Sequence, residues 1–375
     1  MTTSVRLLEE ASAELSPMLD LLRDLVLCES PSEDPTALNA CADLLADAGS
    51  AALGRAPERV VLAGVTHLLW RPKGPAPLLL GHYDTVWALG TLAELPFSIE
   101  AGIARGPGVF DMKAGIVQML QAARLCSARG EVGLLLTADE ETGSVNSRPL
   151  VEEVAATAPA VLVGEPSGAD GAVKIARKGM AAYRLRVQGH AAHAGLEPER
   201  GVNATIELAH QILAVQPVQR PDAGTTATPT IASSGATRNT VPELAHLYVD
   251  VRAWTRAELD RVDAHMRALT PTVSGAELVV DGEVNRYPME EAMSRDLFDH
   301  VREAAREIGV RPPESVRSGG GSDGNLTAAI GVPTLDGLGA VGGHPHARDE
   351  FVDVTTMPTR TALLAALINR LCAVR

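Results

Sequence analysis

Short apolar runs that end on a histidine or an acid, spaced by helical stretches, constrain this chain more than any other feature. Leu78-Leu-Leu-Gly leads into His82-Tyr-Asp84, Leu134-Leu-Leu-Thr-Ala-Asp into Glu140-Glu141, and Val161-Leu-Val-Gly into Glu165. Each run is short and bounded by Gly, Pro or charge, which predicts strands. Further strands are expected at 60–62 and 67–70, and helices over the first 27 residues, 36–52, 112–125 and 147–156. The 112–125 helix would carry Met112, Ile116, Met119, Leu120 and Ala123 on one face, with Asp111 at its N-cap. Such alternation predicts an α/β layer with a mainly parallel sheet.

From about Gly179 the order changes. A strand at 183–187, a helix at 203–215, strands at 228–232 and 245–252, a helix at 256–269 and a strand at 277–280 give β-α-β-β-α-β, the ferredoxin-like succession. After Pro288 the helix–strand alternation returns. The chain has 375 residues, more than the roughly 250–300 at which one core stops growing. The expected division is therefore an α/β domain over 1–178 and 288–375, split by an inserted α+β domain over 179–287. No internal repeat or long linker interrupts it.

Composition removes several classes of function. A net charge of −14 argues against nucleic acid and anionic membranes, whose recognition rests on basic patches. Aromatic residues make up 3%, too few for a base-stacking platform. No apolar run approaches the roughly 18 residues of a membrane span, and the first residues lack the basic start and apolar core of a signal peptide. A cytoplasmic protein is the expectation. Cys28, Cys41, Cys126 and Cys372 lie far apart in sequence and read as small buried hydrophobes, not as a disulfide frame or a thiolate metal site.

The acids and histidines carry the chemistry. In an open α/β sheet, ligands bind beyond the carboxyl ends of the strands. Carboxylates gathered there repel one another unless cations hold them. Zinc accepts both imidazole and carboxylate, and two zinc ions about 3.5–4 Å apart need a bridging group. Asp111, on the Gly-flanked loop Arg105-Gly-Pro-Gly-Val-Phe-Asp111, is the expected bridge. Each piece has a plain alternative: His-x-Asp is common, paired glutamates are usually solvated, and His346 could be a capping or core residue. The loop could cradle a phosphate, but the Walker pattern is missing. Their repetition in order after apolar strands favours a metal site.

Together, GHYDTVWALGTL, ARGPGVFDMKAG, TADEETGS, EPS, GHAAHAG, GVNA, SGGGSD and HARDEFVD span residues 81–353. This series resembles the dinuclear-zinc aminoacylase and carboxypeptidase family, nearest the bacterial folate-cleaving glutamate carboxypeptidases. The resemblance implies a zinc-hydrolase α/β domain with an inserted ferredoxin-like lid and dimerisation domain. It implies two Zn2+ per subunit, with Co2+ or Mn2+ as alternatives. His82 and Glu165 would hold one ion, Glu141 and His346 the other, and Asp111 both. Glu140 would be the general base acting on the water between them, and Asp84 would fix the His82 tautomer. His193, in Gly189-His-Ala-Ala-His193, would reach the partner subunit's site and donate to the oxyanion.

Asn239 and Arg252 match positions that hold the substrate's carboxylate, a task suited to a guanidinium fork. Arg286 is a third candidate, and a plain strand-surface arginine is the alternative for Arg252 and Arg286 alike. Gly320 lies in the Gly-rich loop whose amides face the substrate, whereas His190 and Asn203 would support loops. His344, two residues before His346, could exchange roles with it; spacing to Glu350 favours His346 as ligand. The family also implies a cis peptide between Asp111 and Met112. The expected activity is hydrolysis of an amide in N-acyl or peptidyl amino acids with a free α-carboxylate, releasing C-terminal glutamate. Alternatives are a deacylase of small N-acyl amino acids, a dipeptidase, or a ligand-binding protein on the same fold without catalysis.

Overall fold

The computed structural model describes residues 3–74 and 76–373, with side chains of the first turn (3–5) left aside. The chain divides into two compact units. The first runs to Ala176 and resumes with Met289–Ser318 and from Ser322 onward; the second comprises Arg177–Pro288 and Gly319–Gly321.

In the first unit, six strands form a sheet in the order Glu58–Leu62, Val65–Trp70, Gly133–Thr137, Leu78–His82, Val161–Val163, Thr334–Leu335. The first two strands are antiparallel to their neighbours, and the last four run parallel. Alternation along each strand divides the side chains between two faces. Leu79, Leu134, Leu136 and Leu162 enter the larger core with the helices Leu15–Leu27, Pro35–Leu53, Ala114–Leu125 and Met357–Ala373. Leu78, Leu80, Leu135, Val161 and Val163 pack on the opposite face against Arg148–Ala155 and Asp323–Ala329. With both faces covered, strands must be apolar throughout, which is why they read as unbroken runs.

Asp34 caps the helix Pro35–Leu53, accepting from the Thr36 and Ala37 amides, and Gly54 ends it in the left-handed region. The helix expected from 112 starts later, at Ala114, and Asp111 does not cap it: Asp111 and Met112 are non-helical, and Lys113 stands at the N-cap. The apolar spacing ran through the junction because Met112 is buried as fully as the helical residues after it. At Gly115 a Cβ would meet the Gly164 carbonyl oxygen at 2.0 Å, so glycine lets this helix start press on the strand that ends before Glu165.

In the second unit, an antiparallel sheet has the order Thr226–Ser234, Leu244–Ala253, Gly179–Gln188, Glu277–Arg286. In order of sequence this is 2-3-1-4, the ferredoxin-like arrangement. Tyr183, Leu185, Val187, Leu247, Val249 and Val251 form its core with Leu208, Leu259 and Val262 of the helices Ala204–Val215 and Arg256–Arg267. The alternate residues of Gly179–Gln188 are exposed or half-buried. Gly319–Gly321 groups with this unit, contrary to the expected boundary at 288; Arg177 Nη1 donates to the Gly320 and Gly321 carbonyls at 3.2 and 3.1 Å.

Candidate metal centre

Parallel strands deliver the donors to one rim. His82 is the last residue of Leu78–His82, Glu140 and Glu141 follow Gly133–Thr137, and Glu165 follows Val161–Val163. His82 Nε2 lies 3.3 Å from Asp111 Oδ1 and 3.3 Å from Glu165 Oε1. His346 Nε2 lies 3.2 Å from Glu141 Oε1 and 3.5 Å from Asp111 Oδ2. Two imidazole–carboxylate sets thus share Asp111, one oxygen facing each. A tetrahedral shell with bonds of about 2.0–2.1 Å has donor–donor edges of roughly 3.3–3.4 Å, so both sets fit divalent cations of that size. Glu140 also lies here, with a carboxylate oxygen within 4.8 Å of donor atoms of His82 and Glu165.

Asp84, fully buried, organises two of these elements. Its backbone carbonyl lies 3.1 Å and its Oδ1 3.4 Å from His82 Nδ1, which leaves Nε2 free to face the acids. Its carboxylate also accepts the Glu140 amide at 3.2 Å, the Glu141 amide at 3.1 Å and the Ser32 hydroxyl at 2.8 Å. Asp84 therefore acts through other residues.

Sequence reasoning missed Glu350 as a structural carboxylate. Only 2% exposed, it accepts the amides of Gly108 (3.0 Å), Phe110 (2.8 Å) and Asp111 (3.0 Å) and the Trp87 indole N–H (3.1 Å). Gly108 takes a left-handed φ of 67° and the Asp111–Met112 bond is cis. The segment HARDEFVD contained the signal, but nothing local reveals an acid whose partners are amides some 240 positions upstream.

His344 and His346 both have positive φ, yet they diverge. His344 Nδ1 lies 2.6 Å from Asp349 Oδ2 and its ring stands edge-on to Phe351, whereas His346 faces Asp111 and Glu141. In the second unit, His193 is exposed, and its Nδ1 accepts the amides of Gly195 (3.2 Å) and Leu196 (3.1 Å), which puts the ring hydrogen on Nε2. The Asn239 carbonyl accepts the Ala194 amide at 2.9 Å beside it. Arg252 pairs with Asp250, Nε to Oδ1 and Nη2 to Oδ2 at 3.0 Å each. Arg286 is 3% exposed, and Gly320 lies on an exposed turn. His190 pairs with Val202 through the backbone, and Asn203 caps the helix after it.

The charge balance shows what the cluster lacks. Burial works against an imidazolium at His82, but hydrogen bonds to Asp111, Asp84 and Glu165 outweigh it and raise its pKa well above the ordinary value. Asp111 and Glu141 raise His346 to about 10. Burial opposes the Asp111 carboxylate, yet both histidines hold its pKa far below the usual range. Without metal the acids thus recruit protons onto the histidines, and a bound cation must expel them. Metal affinity should rise with pH, up to about tenfold per unit for each proton released, until His346 is neutral near pH 10. Calorimetry in buffers of different ionisation enthalpy counts those protons; release of none would contradict this reading.

The profile of the peptidase family M20/M25/M40 matches residues 78–370. Carboxypeptidase G2 of Pseudomonas sp. (strain RS-16) is 30% identical over 98% of this chain and 92% of its own length. A succinyl-diaminopimelate desuccinylase of Alkalilimnicola ehrlichii is 29% identical over 85% and 90%. Among solved structures, aminopeptidase PepT of Bacillus cereus superposes with a TM-score of 0.76, covering 96% of this chain and 99% of that one at 23% identity. With a family match over most of its length and a near full-length relative at 30% identity, this chain belongs to peptidase family M20/M25/M40.

Proposed function

We propose that the chain is a two-zinc hydrolase that cleaves the amide bond of N-acyl or peptidyl amino acids bearing a free α-carboxylate, with C-terminal glutamate as the preferred product. The observation that carries this reading is the division of the Asp111 oxygens between His82 with Glu165 and His346 with Glu141. When bound, such cations polarise a carbonyl and lower the pKa of water. Glu140, held in place through its amide by Asp84, takes the proton from the attacking water and returns it to the departing amine. The partner subunit's His193 donates its Nε2 hydrogen to the oxyanion. Arg252, Asn239 and Arg286 bind the substrate carboxylate, with the Gly320 loop beside it. Asp250 holds the Arg252 guanidinium in one orientation, as a fork that receives a carboxylate requires.

A homodimer through the second unit is part of the same reading. Support comes from the edge strand Thr226–Ser234, which pairs on one side, and from exposed Ile206, Leu213 and Ile231 on that strand and the helix beside it. The glutamate preference draws on the likeness to carboxypeptidase G2. The likeness to desuccinylases favours a second reading, hydrolysis of a small N-acyl amino acid. A panel of acyl-glutamates, N-succinyl and N-acetyl amino acids, dipeptides and N-acyl amines that lack a carboxylate, assayed on zinc-loaded protein, separates the two. The first reading expects acyl-glutamates to show the highest kcat/KM, with Arg252→Ala raising KM; a preference for amines without a carboxylate would refute both.

A further inference from the structure

The first unit holds a cavity of about 660 Å³ that is lined by none of the residues of the candidate metal centre. Its volume falls within the roughly 300–1,000 Å³ of small-molecule sites. One wall is the start of the helix Met357–Ala373, with Thr359 and Arg360, and Val310, Val341 and Leu363 supply apolar surface.

Arg360 stands where a cation is least expected. It is 6% exposed, and it belongs to the first turn of the helix, whose dipole disfavours positive charge. Its hydrogen bonds all go to carbonyls: Nε to Gly339 O at 3.0 Å, Nη1 to Gly171 O at 2.8 Å and Nη2 to Gly337 O at 2.7 Å. These oxygens satisfy hydrogens but bring no net charge. Among the described residues no carboxylate pairs with Arg360, although a buried ion is normally paired. Each Nη also carries a second hydrogen, and among the described residues neither has an acceptor. The guanidinium thus keeps both charge and hydrogen-bonding capacity for an anion in the cavity.

At the rim the available charge is negative. Arg311 Nη2 and Glu314 Oε1 lie 3.5 Å apart and offset each other. Asp170 is exposed and joins no ion pair among the described residues. It precedes Gly171, whose carbonyl accepts from Arg360, so a free carboxylate and a buried guanidinium line one cavity.

We propose that this cavity binds a free α-amino acid with an aliphatic side chain. The ligand carboxylate pairs with Arg360, its ammonium with Asp170, and its side chain covers Val310, Val341 and Leu363. A simple anion would leave Asp170 unanswered, and a simple cation would meet Arg360. One residue links the site to the metal centre: Gly339 gives its carbonyl to Arg360 and donates its amide to Glu165 O at 2.9 Å. Occupation therefore steadies the segment beside Glu165.

L-Leucine, 4-methylpentanoate, which lacks the ammonium, and leucinamide, which lacks the carboxylate, are titrated into the full-length, zinc-loaded protein by calorimetry. Leucine should bind most tightly, 4-methylpentanoate about fivefold more weakly, as loss of one exposed charge pair implies, and leucinamide without detectable heat. Asp170→Asn, an exposed and near-isosteric change, should erase the advantage of leucine over 4-methylpentanoate. Thr359→Trp fills a half-buried wall position. It should abolish binding of both, together with the rise in unfolding midpoint that leucine gives the wild type. The proposal falls if leucine does not bind at millimolar concentration, if leucinamide binds as well as leucine, or if inorganic phosphate does. It falls equally if leucine binds Thr359→Trp as it binds the wild type, or keeps its advantage in Asp170→Asn. No readout involves turnover, so failure here stands apart from failure of the hydrolytic reading.

Discussion

Replacing Glu140 with glutamine is expected to leave the metal content of the protein unchanged and to lower kcat by about 10²–10⁴-fold. The glutamine is isosteric and keeps its backbone amide on Asp84 Oδ1, so the loop should hold its shape. What disappears is the proposed proton acceptor. The test discriminates because Glu140 also lies close enough to His82 and Glu165 to be considered a ligand. If the variant loses one equivalent of metal in step with activity, Glu140 is a ligand and the base lies elsewhere. If it turns over normally, no proton passes through position 140. Elemental analysis and steady-state kinetics on one preparation distinguish these results.

The second large effect is expected at Glu350, whose side chain binds backbone amides of the Asp111 loop. Glu350 gathers three amides of the Asp111 loop and the Trp87 indole. In Glu350→Gln one oxygen becomes an NH2 group, which sets donor against donor and orphans two buried N–H groups. At about 1–3 kcal/mol for each orphan, unfolding stability should fall by roughly 2–6 kcal/mol. Because the loop carries the shared carboxylate, metal affinity should weaken by about 10–100-fold. Denaturant melts with and without excess zinc separate the two effects: added metal should restore part of the lost stability by mass action. Wild-type affinity in this variant would mean that the Asp111 loop is fixed by other contacts.

Much of this arrangement was legible in the sequence because it depends on repeating physical patterns. Strands covered on both faces are apolar throughout, so Leu78–His82, Gly133–Thr137 and Val161–Val163 announce themselves, and parallel strands necessarily bring their C-terminal ends to one rim. Alternating burial in Gly179–Gln188 and Leu244–Ala253 likewise reveals the second unit. Other features were hidden where local pattern and tertiary contact diverge. Met112 continues the apolar spacing of a helix that has not yet begun. Glu350 bonds backbone amides, which leave no mark on the side chains opposite. Gly319–Gly321 joins the second unit through a guanidinium on carbonyls rather than through apolar contact. Histidines 344 and 346 share a backbone region but face different neighbours, and spacing alone could only favour one. The Asp250–Arg252 pair could have been found, since residues two apart on a strand share a face.

The convergence of His82, Asp111, Glu141, Glu165 and His346 on two cations is most directly tested by anomalous diffraction from crystals of the zinc-loaded protein. Two peaks about 3.5–4 Å apart, with Asp111 between them, His82 and Glu165 on one and His346 and Glu141 on the other, are the predicted result. A single peak, or zinc bound anywhere else on the chain, would contradict it.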